Sequence, residues 1–217
     1  MFPAVSIPSS QARHALAALL ALLLLGSAPA VRAGQQREEP LSASVRSLLS
    51  RSVADSPTDH SGLGDETAER SWLAAMSGRL GTRMPDLRQR VELLRTVHYE
   101  ATRAGLEPEL VLAVIQVESA FHKYAVSNVG ARGYMQVMPF WLRDIGSASQ
   151  DLFHLRTNLR YGCTILRYYV DREHGDLFRA LGRYNGSLGQ PDYPSLVLQA
   201  WKSNWASQGL SSTALAR

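Results

Sequence analysis

A chain of 217 residues, 45% hydrophobic and 19% charged, can bury one sizeable core, so a single domain with less compact flanks is expected. The 23 basic and 19 acidic residues leave a formal net charge of +4 without a dense Lys/Arg stripe, which argues against nucleic acid as a partner. The lone Cys163 excludes an internal disulfide, and its helical surroundings predict a small buried residue.

The first thirty residues have the order of a secretory signal. Arg13 and His14 precede eleven consecutive apolar residues at 15–25, and small residues follow in GSAPAVRA. Eleven apolar residues are too few to span a bilayer, for which about 20 are needed. We therefore predict a signal peptide at residues 1–30 and export of the remaining chain, with no transmembrane segment after its removal. An uncleaved N-terminal anchor is the alternative.

The next segment, residues 31–75, is rich in Ser, Gly and charged side chains and has only short apolar clusters. This composition predicts a linker or loosely ordered arm with one short helix near residues 41–53. No segment repeats with a period of about 20 to 50 residues, which excludes a solenoid. The domain itself is predicted at residues 76–205, followed by a tail at 206–217.

Helical patterns dominate from residue 84 onward. Apolar residues recur at three- and four-residue spacing from Leu87 to Val97, and Gly105 is typical of a position just after a helix end. A second helix is predicted to begin at Pro108, because proline suits the first turn. Its residues 110–117 are mostly apolar on every side, which predicts a helix buried in the core.

Glu118 follows this apolar run. A carboxylate in the last turn of a buried helix lies at the negative end of the helix dipole and away from water, and both effects raise its pKa. A general acid that works near neutral pH needs that shift. From helix position alone, the alternative is a solvated carboxylate without a role. The loop that follows, with Gly130, Gly133 and Gln136, can fold back over the helix end and offer polar groups to a ligand.

Three signatures in order resemble one family. They are Glu118-Ser119 with Ser127 and GYMQVMP at 133–139, then DLFHLRTNLRYG at 151–162, and then ALGRYNGS at 180–187. Together they resemble the SLT-type lytic transglycosylase family, whose catalytic domain is similar to goose-type lysozyme. Tyr134 stands where the family usually has Leu.

The resemblance implies a mostly α-helical, lysozyme-like domain with at most a short β-hairpin. It implies cleavage of the β-1,4 bond between N-acetylmuramic acid (MurNAc) and N-acetylglucosamine in peptidoglycan, with formation of 1,6-anhydro-MurNAc. Glu118 would act as general acid and then as base, without a metal or cofactor. Glycan strands of peptidoglycan would be the partner and the bacterial periplasm the location. Cell-wall remodelling, or local wall opening for a secretion complex, would be the process.

The resemblance also implies roles for four further residues. Ser127 would hydrogen-bond near Glu118 or the muramoyl side chain, Gln136 and Tyr184 would orient the acid and stabilise charge on the reacting sugar, and Met138 would line the sugar subsite. The residue types leave a second reading open: loop stabilisation for Ser127 and Gln136, and a buried aromatic anchor for Tyr184. No role is assigned to Tyr193.

Two other functions remain open. Asp144 or Asp151 could serve as the second carboxylate of a lysozyme-type hydrolase, although Asp151 is typical of a helix cap. A non-catalytic peptidoglycan-binding scaffold protein would keep the cleft, but the intact acid favours an enzyme. The six histidines lack the H-E-x-x-H spacing, so no metal site is expected. His122 is predicted to be a surface or cap residue.

Overall fold

A computed structural model describes residues 36–54 and 66–206, all within the compact unit Ala33–Arg217. The predicted signal peptide at 1–30 lies outside the described residues, as does the predicted tail beyond residue 206. Among the helices of the described part, none has the length and apolar character needed to cross a membrane. The predicted start of the domain at residue 76 falls within a helix, and the domain boundaries stay a prediction.

The described residues form eight α-helices and a final π-helical turn, Trp201–Trp205. In chain order the helices are α1 (Ala43–Val53), α2 (Glu66–Leu80), α3 (Leu87–Arg103), α4 (Pro108–Ser119), α5 (Phe140–Ile145), α6 (Leu155–Arg172), α7 (Leu177–Asn185) and α8 (Asp192–Ala200). Extended pairing in this part of the chain is limited to two isolated bridges, Val126 with Arg132 and Arg132 with Val137. The prediction of a mostly α-helical fold with at most a short hairpin is therefore confirmed.

Helix α4 is the centre of the core. Pro108 lies in its first turn, as predicted, and residues 110–115 are buried on every side. The helix packs against α3, α8 and the π-helical turn, so it is covered by elements from both ends of the domain. Its last turn carries Glu118 to the edge of that core.

Helix α6 presents the predicted apolar stripe. Leu159, Cys163, Leu166 and Val170 are all buried, which confirms Cys163 as a small core residue. Gly162 lies on the same helix against Met135, close enough that no larger side chain fits there. Helix α6 therefore supports the loop that precedes α5 as well as helices α3 and α7.

A buried ion pair joins α3 to α6. The Glu100 carboxylate accepts hydrogen bonds from Arg160 Nη2 and Nε at 2.9 and 3.0 Å, and Arg156 Nε lies 3.5 Å away. Arg160 also donates to the carbonyl of Ala54 at the end of α1. Because both partners are buried, removing one would leave a charge in the core without its bidentate partner, and breaking a buried pair in this way costs about 3–5 kcal/mol.

The first described segment, residues 36–42, has no regular secondary structure and is bonded to the rest of the described chain. Gln36 is buried, and its Oε1 accepts hydrogen bonds from the Met138 amide at 3.3 Å and from Trp141 Nε1 at 3.0 Å. Glu39 forms an ion pair with Arg172 at 2.6 Å. Helix α1 then begins at Ala43, close to the short helix predicted near 41–53.

The C-terminal turn is tied to α2 and α4. Arg79 donates to the carbonyls of Trp205 and Ala206 at 2.7 and 3.2 Å. Trp205 is fully buried, and its Nε1 donates to Gln116 Oε1 at 2.9 Å. Trp205 is thus a packing anchor, and Trp201 packs partly buried against the same core.

The contact between Gly162 and Met135 makes a substitution test possible. A methyl group at residue 162 would lie 2.4 Å from Met135 Sδ and 2.8 Å from its Cβ, so Gly162→Ala is expected to lower the free energy of unfolding by about 1–3 kcal/mol. Urea denaturation measures this. The control is Gly78→Ala on α2, where a Cβ meets nothing within 4 Å and helix propensity predicts about 0.5–1 kcal/mol of stabilisation. Equal effects of the two variants would contradict the packing argument.

Candidate active site

The chain reverses sharply after Glu118. Ala120 and Phe121 have positive φ angles of 48° and 67°, which cost non-glycine residues about 1–2 kcal/mol each. Phe121 is buried edge-on against Trp205, with ring centroids 5.6 Å apart. His122 hydrogen-bonds through Nδ1 to the carbonyl of Ser119 at 2.8 Å, so it caps the helix end as predicted. This packing holds the strained turn and fixes the direction of the Glu118 side chain.

Two side-chain amides reinforce the backbone hydrogen bonds of the loop after the turn. Gln136 Nε2 donates to the carbonyls of Gly133 and Ala125 at 2.9 and 3.1 Å. Asn158 on α6 accepts from the Met135 amide at 2.8 Å and donates to the carbonyls of Arg132 and Leu152. Sequence reasoning gave Asn158 no role, although it stands in the second signature.

Gly133 is the residue that lets Asn158 approach the loop. Its φ is +76°, and a Cβ there would lie 2.5 Å from Asn158 Nδ2 and 2.6 Å from the Leu152 carbonyl. Because Gly133 has no side chain, it leaves room for the hydrogen-bonded amide of Asn158. Gln136, also at positive φ, completes the same turn.

The Glu118 carboxylate meets two polar side chains from the last two α-helices. Tyr193 on α8 donates its hydroxyl to Glu118 Oε1 at 2.7 Å. Asn185, the last residue of α7, is buried, and its side chain favours the ionised form of Glu118. Asn185 Nδ2 forms no hydrogen bond of normal geometry within the described residues. Neither residue was predicted from the sequence. For Asn185 the available signal was the Asn of ALGRYNGS. For Tyr193 it was its place near the C-terminal helix, where the resembled family usually has Tyr-Val and this chain has Tyr193-Pro194.

Burial dominates the protonation of Glu118. Desolvation raises its pKa from 4.5 to about 8, although the hydrogen bond from Tyr193 and the nearby side chain of Asn185 oppose the rise by stabilising the carboxylate. Burial also raises the pKa of Tyr193 well above its usual value of 10.0, so its hydroxyl stays protonated and remains the donor. The result is a carboxyl group that is mostly protonated at neutral pH and is still partly exposed.

A cleft of about 620 Å³ opens at the end of α4. Glu118, Ser127 and Gln136 line it, so the structure brings three of the five predicted site residues together. Ser127 Oγ accepts from the Ala131 amide at 3.0 Å, which shapes the loop and leaves the hydroxyl hydrogen available to the cleft.

The other two predicted residues lie outside the lining of this cleft. Tyr184 is fully buried and donates its hydroxyl to the Met135 carbonyl at 2.7 Å, so it supports the loop from the core side. Burial raises its pKa well above the usual value. Met138 is half-buried, with its amide bonded to Gln36. The catalytic and substrate-binding roles of all five residues stay predictions.

The two candidates for a second carboxylate lie outside the lining of the cleft. Neither Asp144 nor Asp151 lines the cleft, and Asp151 Oδ1 accepts from the Phe153 amide at 2.8 Å, which is a turn-capping contact. Within residues 36–54 and 66–206, no group of three His, Cys, Asp or Glu side chains is placed to hold a metal ion. Glu118 is thus the single carboxylate in the lining of this cleft.

Comparisons with known proteins agree on one family. The family model for the transglycosylase SLT domain matches residues 95–193. The transglycosylase of Enterobacteria phage PRD1 is 33% identical over 98 residues, covering 45% of this chain and 36% of the phage protein. The membrane-bound lytic murein transglycosylase C of Actinobacillus pleuropneumoniae is 44% identical over 66 residues, 30% of this chain and 16% of that protein.

A solved structure also aligns with part of the chain. It is the X-ray structure of an inactive mutant of the lytic transglycosylase Slt from Pseudomonas aeruginosa, with 26% identity, a TM-score of 0.41, and coverage of 49% of this chain and 20% of the other. The chain thus spans well under half the length of the relatives it matches. Residues 95–193 match the transglycosylase SLT domain, and this part of the chain is similar to proteins named as transglycosylases and lytic murein transglycosylases.

The raised pKa of Glu118 predicts a pH-dependent stability. The folded state binds the Glu118 proton more tightly than the unfolded state does. The contribution of this proton to the free energy of unfolding is therefore fully present below pH 4.5 and is lost as the pH rises to about 8. Glu118→Gln cannot titrate, so its free energy of unfolding relative to the wild type should rise by about 2–5 kcal/mol across this window. Denaturant titrations between pH 4.5 and 8.5 measure the difference. Asp144→Asn is the control, and an equal pH trend in both variants would contradict the assignment.

Proposed function

We propose that this protein is a lytic transglycosylase that cleaves the β-1,4 bond between MurNAc and N-acetylglucosamine in peptidoglycan and leaves a 1,6-anhydro-MurNAc end. The observation that carries the proposal is a cleft with one carboxyl group in its lining, that of Glu118. Burial raises the pKa of this group to about 8. The SLT domain and the relatives named as murein transglycosylases support the same reaction.

One carboxyl group suffices because the substrate supplies the nucleophile. Glu118 gives its proton to the glycosidic oxygen as the bond from that oxygen to C1 of MurNAc breaks. The O6 atom of the same MurNAc then bonds to C1, and its proton passes to the Glu118 carboxylate. No water is consumed, and the acid returns to its starting state. A hydrolase instead needs a second carboxylate for water or for the sugar carbon.

The protonation of Glu118 suits the first step. With a pKa of about 8, the protonated form exceeds the carboxylate by about ten to one at pH 7. Tyr193 suits the second step, because its hydroxyl stabilises the carboxylate that forms. The two effects together keep the proton affinity close to the working pH, as general acid–base catalysis requires.

The other predicted residues have assignable parts in this reaction. The Ser127 hydroxyl hydrogen can donate to the substrate, while both amide hydrogens of Gln136 are used on backbone carbonyls and leave Oε1 as its acceptor in the cleft. Tyr184 positions the loop through Met135 rather than through the cleft lining. Met138 would line a sugar subsite beyond the cleft, next to Gln36.

The location proposed for this activity is the bacterial periplasm, reached by export with the signal at residues 1–30. Support comes from the apolar segment of the sequence and from the bacterial relatives named as membrane-bound lytic murein transglycosylases. Cell-wall remodelling, or local opening of the wall for a secretion complex, is the proposed process.

Muropeptide analysis of purified sacculi tests the reaction. Mass spectrometry is expected to show released fragments lighter by one water than hydrolysis products, because the ring closes within the sugar. Glu118→Gln should release none, and Asp144→Asn should release them at the wild-type rate. Reducing ends from the wild type would indicate a hydrolase, and sacculus binding without any release would indicate a scaffold protein.

A second prediction concerns the pH profile and Tyr193. The rate should fall as the pH rises through about 8, since Glu118 loses the proton it donates. Tyr193→Phe removes a hydrogen bond that stabilises the Glu118 carboxylate, so the pKa of Glu118 should rise. The fall in rate at high pH should therefore occur about one to two pH units higher. Initial rates of anhydro product between pH 5 and 10 measure the shift, and Tyr168→Phe, at a half-buried position of α6 that does not line the cleft, is the control. An unmoved limb in Tyr193→Phe would show that the tyrosine does not tune the acid.

A further inference from the structure

Two aromatic rings extend one edge of the cleft. Tyr124 lines the cleft and is 70% exposed, and its ring lies 5.8 Å from the ring of Phe153. Neither ring belongs to the buried core of the described residues. An exposed tyrosine on the edge of a cleft presents a flat apolar face with a polar tip, which is typical of binding surfaces.

A cation rests over each ring. Lys123 Nζ lies 5.3 Å from the Tyr124 ring centroid, and Arg132 Cζ lies 5.9 Å from that of Phe153. Within the described part of the chain neither cation forms a salt bridge, whereas Arg143, Arg172 and Arg183 each do. We call Lys123, Tyr124, Arg132 and Phe153 the cationic rim.

The backbone of the cationic rim is fixed. Arg132 exchanges two backbone hydrogen bonds with Val137, both 3.0 Å, and its carbonyl accepts from Asn158 Nδ2 at 2.8 Å. The Phe153 amide is held by Asp151. Because the loops are ordered before any ligand arrives, binding here loses less conformational entropy than binding to a mobile loop.

The chemistry of the cationic rim fits an anionic chain with apolar parts. Lysine and arginine side chains bind carboxylates, and aromatic faces pack against aliphatic side chains or the cations themselves. The reaction proposed above places MurNAc at Glu118, and MurNAc is the sugar that bears the stem peptide of peptidoglycan. Lys123 and Tyr124 line the same cleft as Glu118, so a peptide attached to a sugar at Glu118 would start in the cleft that these two residues border.

We propose that the cationic rim binds the carboxylates of the stem peptide, and so makes the enzyme favour peptide-bearing over peptide-free glycan strands. The proposal rests on the proposed function, because that reaction sets which sugar lies at Glu118. It assigns specificity to residues at positions 123, 124, 132 and 153, outside the acid and its hydrogen-bond partners.

Kinetics on two matched substrates test the proposal. Glycan strands are used with their stem peptides intact and after an amidase has removed them. For the double variant Lys123→Gln/Arg132→Gln, KM on peptide-bearing strands is expected to rise about tenfold with kcat unchanged, as for loss of two charge-assisted contacts near the surface. KM on peptide-free strands should stay at the wild-type value.

The control is Arg88→Gln/Arg95→Gln on α3, which removes the same charge from exposed positions that do not line this cleft. Equal losses of the rim variant on both substrates would mean that the cationic rim contacts the sugars, and this would overturn the proposal. No difference between the rim variant and the control would overturn it as well.

A binding measurement separates this proposal from the proposed function. Cosedimentation of Glu118→Gln protein with each type of strand needs no turnover, so it reports on the cationic rim even if the wild type releases no anhydro product. Preferential binding to peptide-bearing strands, lost on adding Lys123→Gln/Arg132→Gln, supports the proposal. Equal binding to both strands contradicts it, whatever the activity of the wild type.

Discussion

Placement of a carboxyl group at the end of a helix with an apolar centre, residues 110–115, is the constraint on which this structure depends. Helix α4 can be buried on every side only because its residues 110–115 are apolar, and that burial carries Glu118 out of water. Desolvation then outweighs the effects of Tyr193 and Asn185, which favour the carboxylate, and the pKa of Glu118 is about 8. The strained turn at Ala120 and Phe121 keeps the side chain at the edge of the core, where a ligand can reach it.

Several residues of the family signatures act on the loop before they act on any ligand. The Gln136 amide, the Ser127 oxygen and the Tyr184 hydroxyl all bond backbone groups of residues 125–135. Asn158 adds two further bonds to the same loop and a third to the carbonyl of Leu152. Loop stabilisation and a site role are therefore compatible, because the loop that these residues shape is one wall of the cleft.

Periodicity and the chemistry of single residues predicted much of this fold. The buried α4, its start at Pro108, the stripe on α6 and the buried Cys163 follow from local pattern. Leu87 shows the limit: it opens the apolar pattern of α3 but is exposed, because the buried face of that helix is set by its neighbours and consists of Leu93, Leu94 and Val97. Tyr134, which stands where the family usually has Leu, is also buried.

The sequence predicted Glu118 as the acid of the candidate site, but it did not predict the residues that contact Glu118. Glu118 stands out because a charge interrupts an apolar run, whereas Tyr193 and Asn185 reach it from helices far along the chain. Contacts between residues so far apart in the chain produce no periodic pattern in the sequence. Gln36 is a similar case, since a segment with the composition of a linker places one amide in a buried hole beside Met138.

The hydrogen bond between Tyr193 and Glu118 joins residues 75 positions apart, and Arg79 binds carbonyls more than 120 positions later. Contacts of such separation form late in folding, because a long loop must close first. The acid is therefore complete only when α8 and the final turn have docked on α4. A chain that is still emerging from the ribosome already carries Glu118 but lacks the helices that desolvate it, so the raised pKa is a property of the fully folded protein alone.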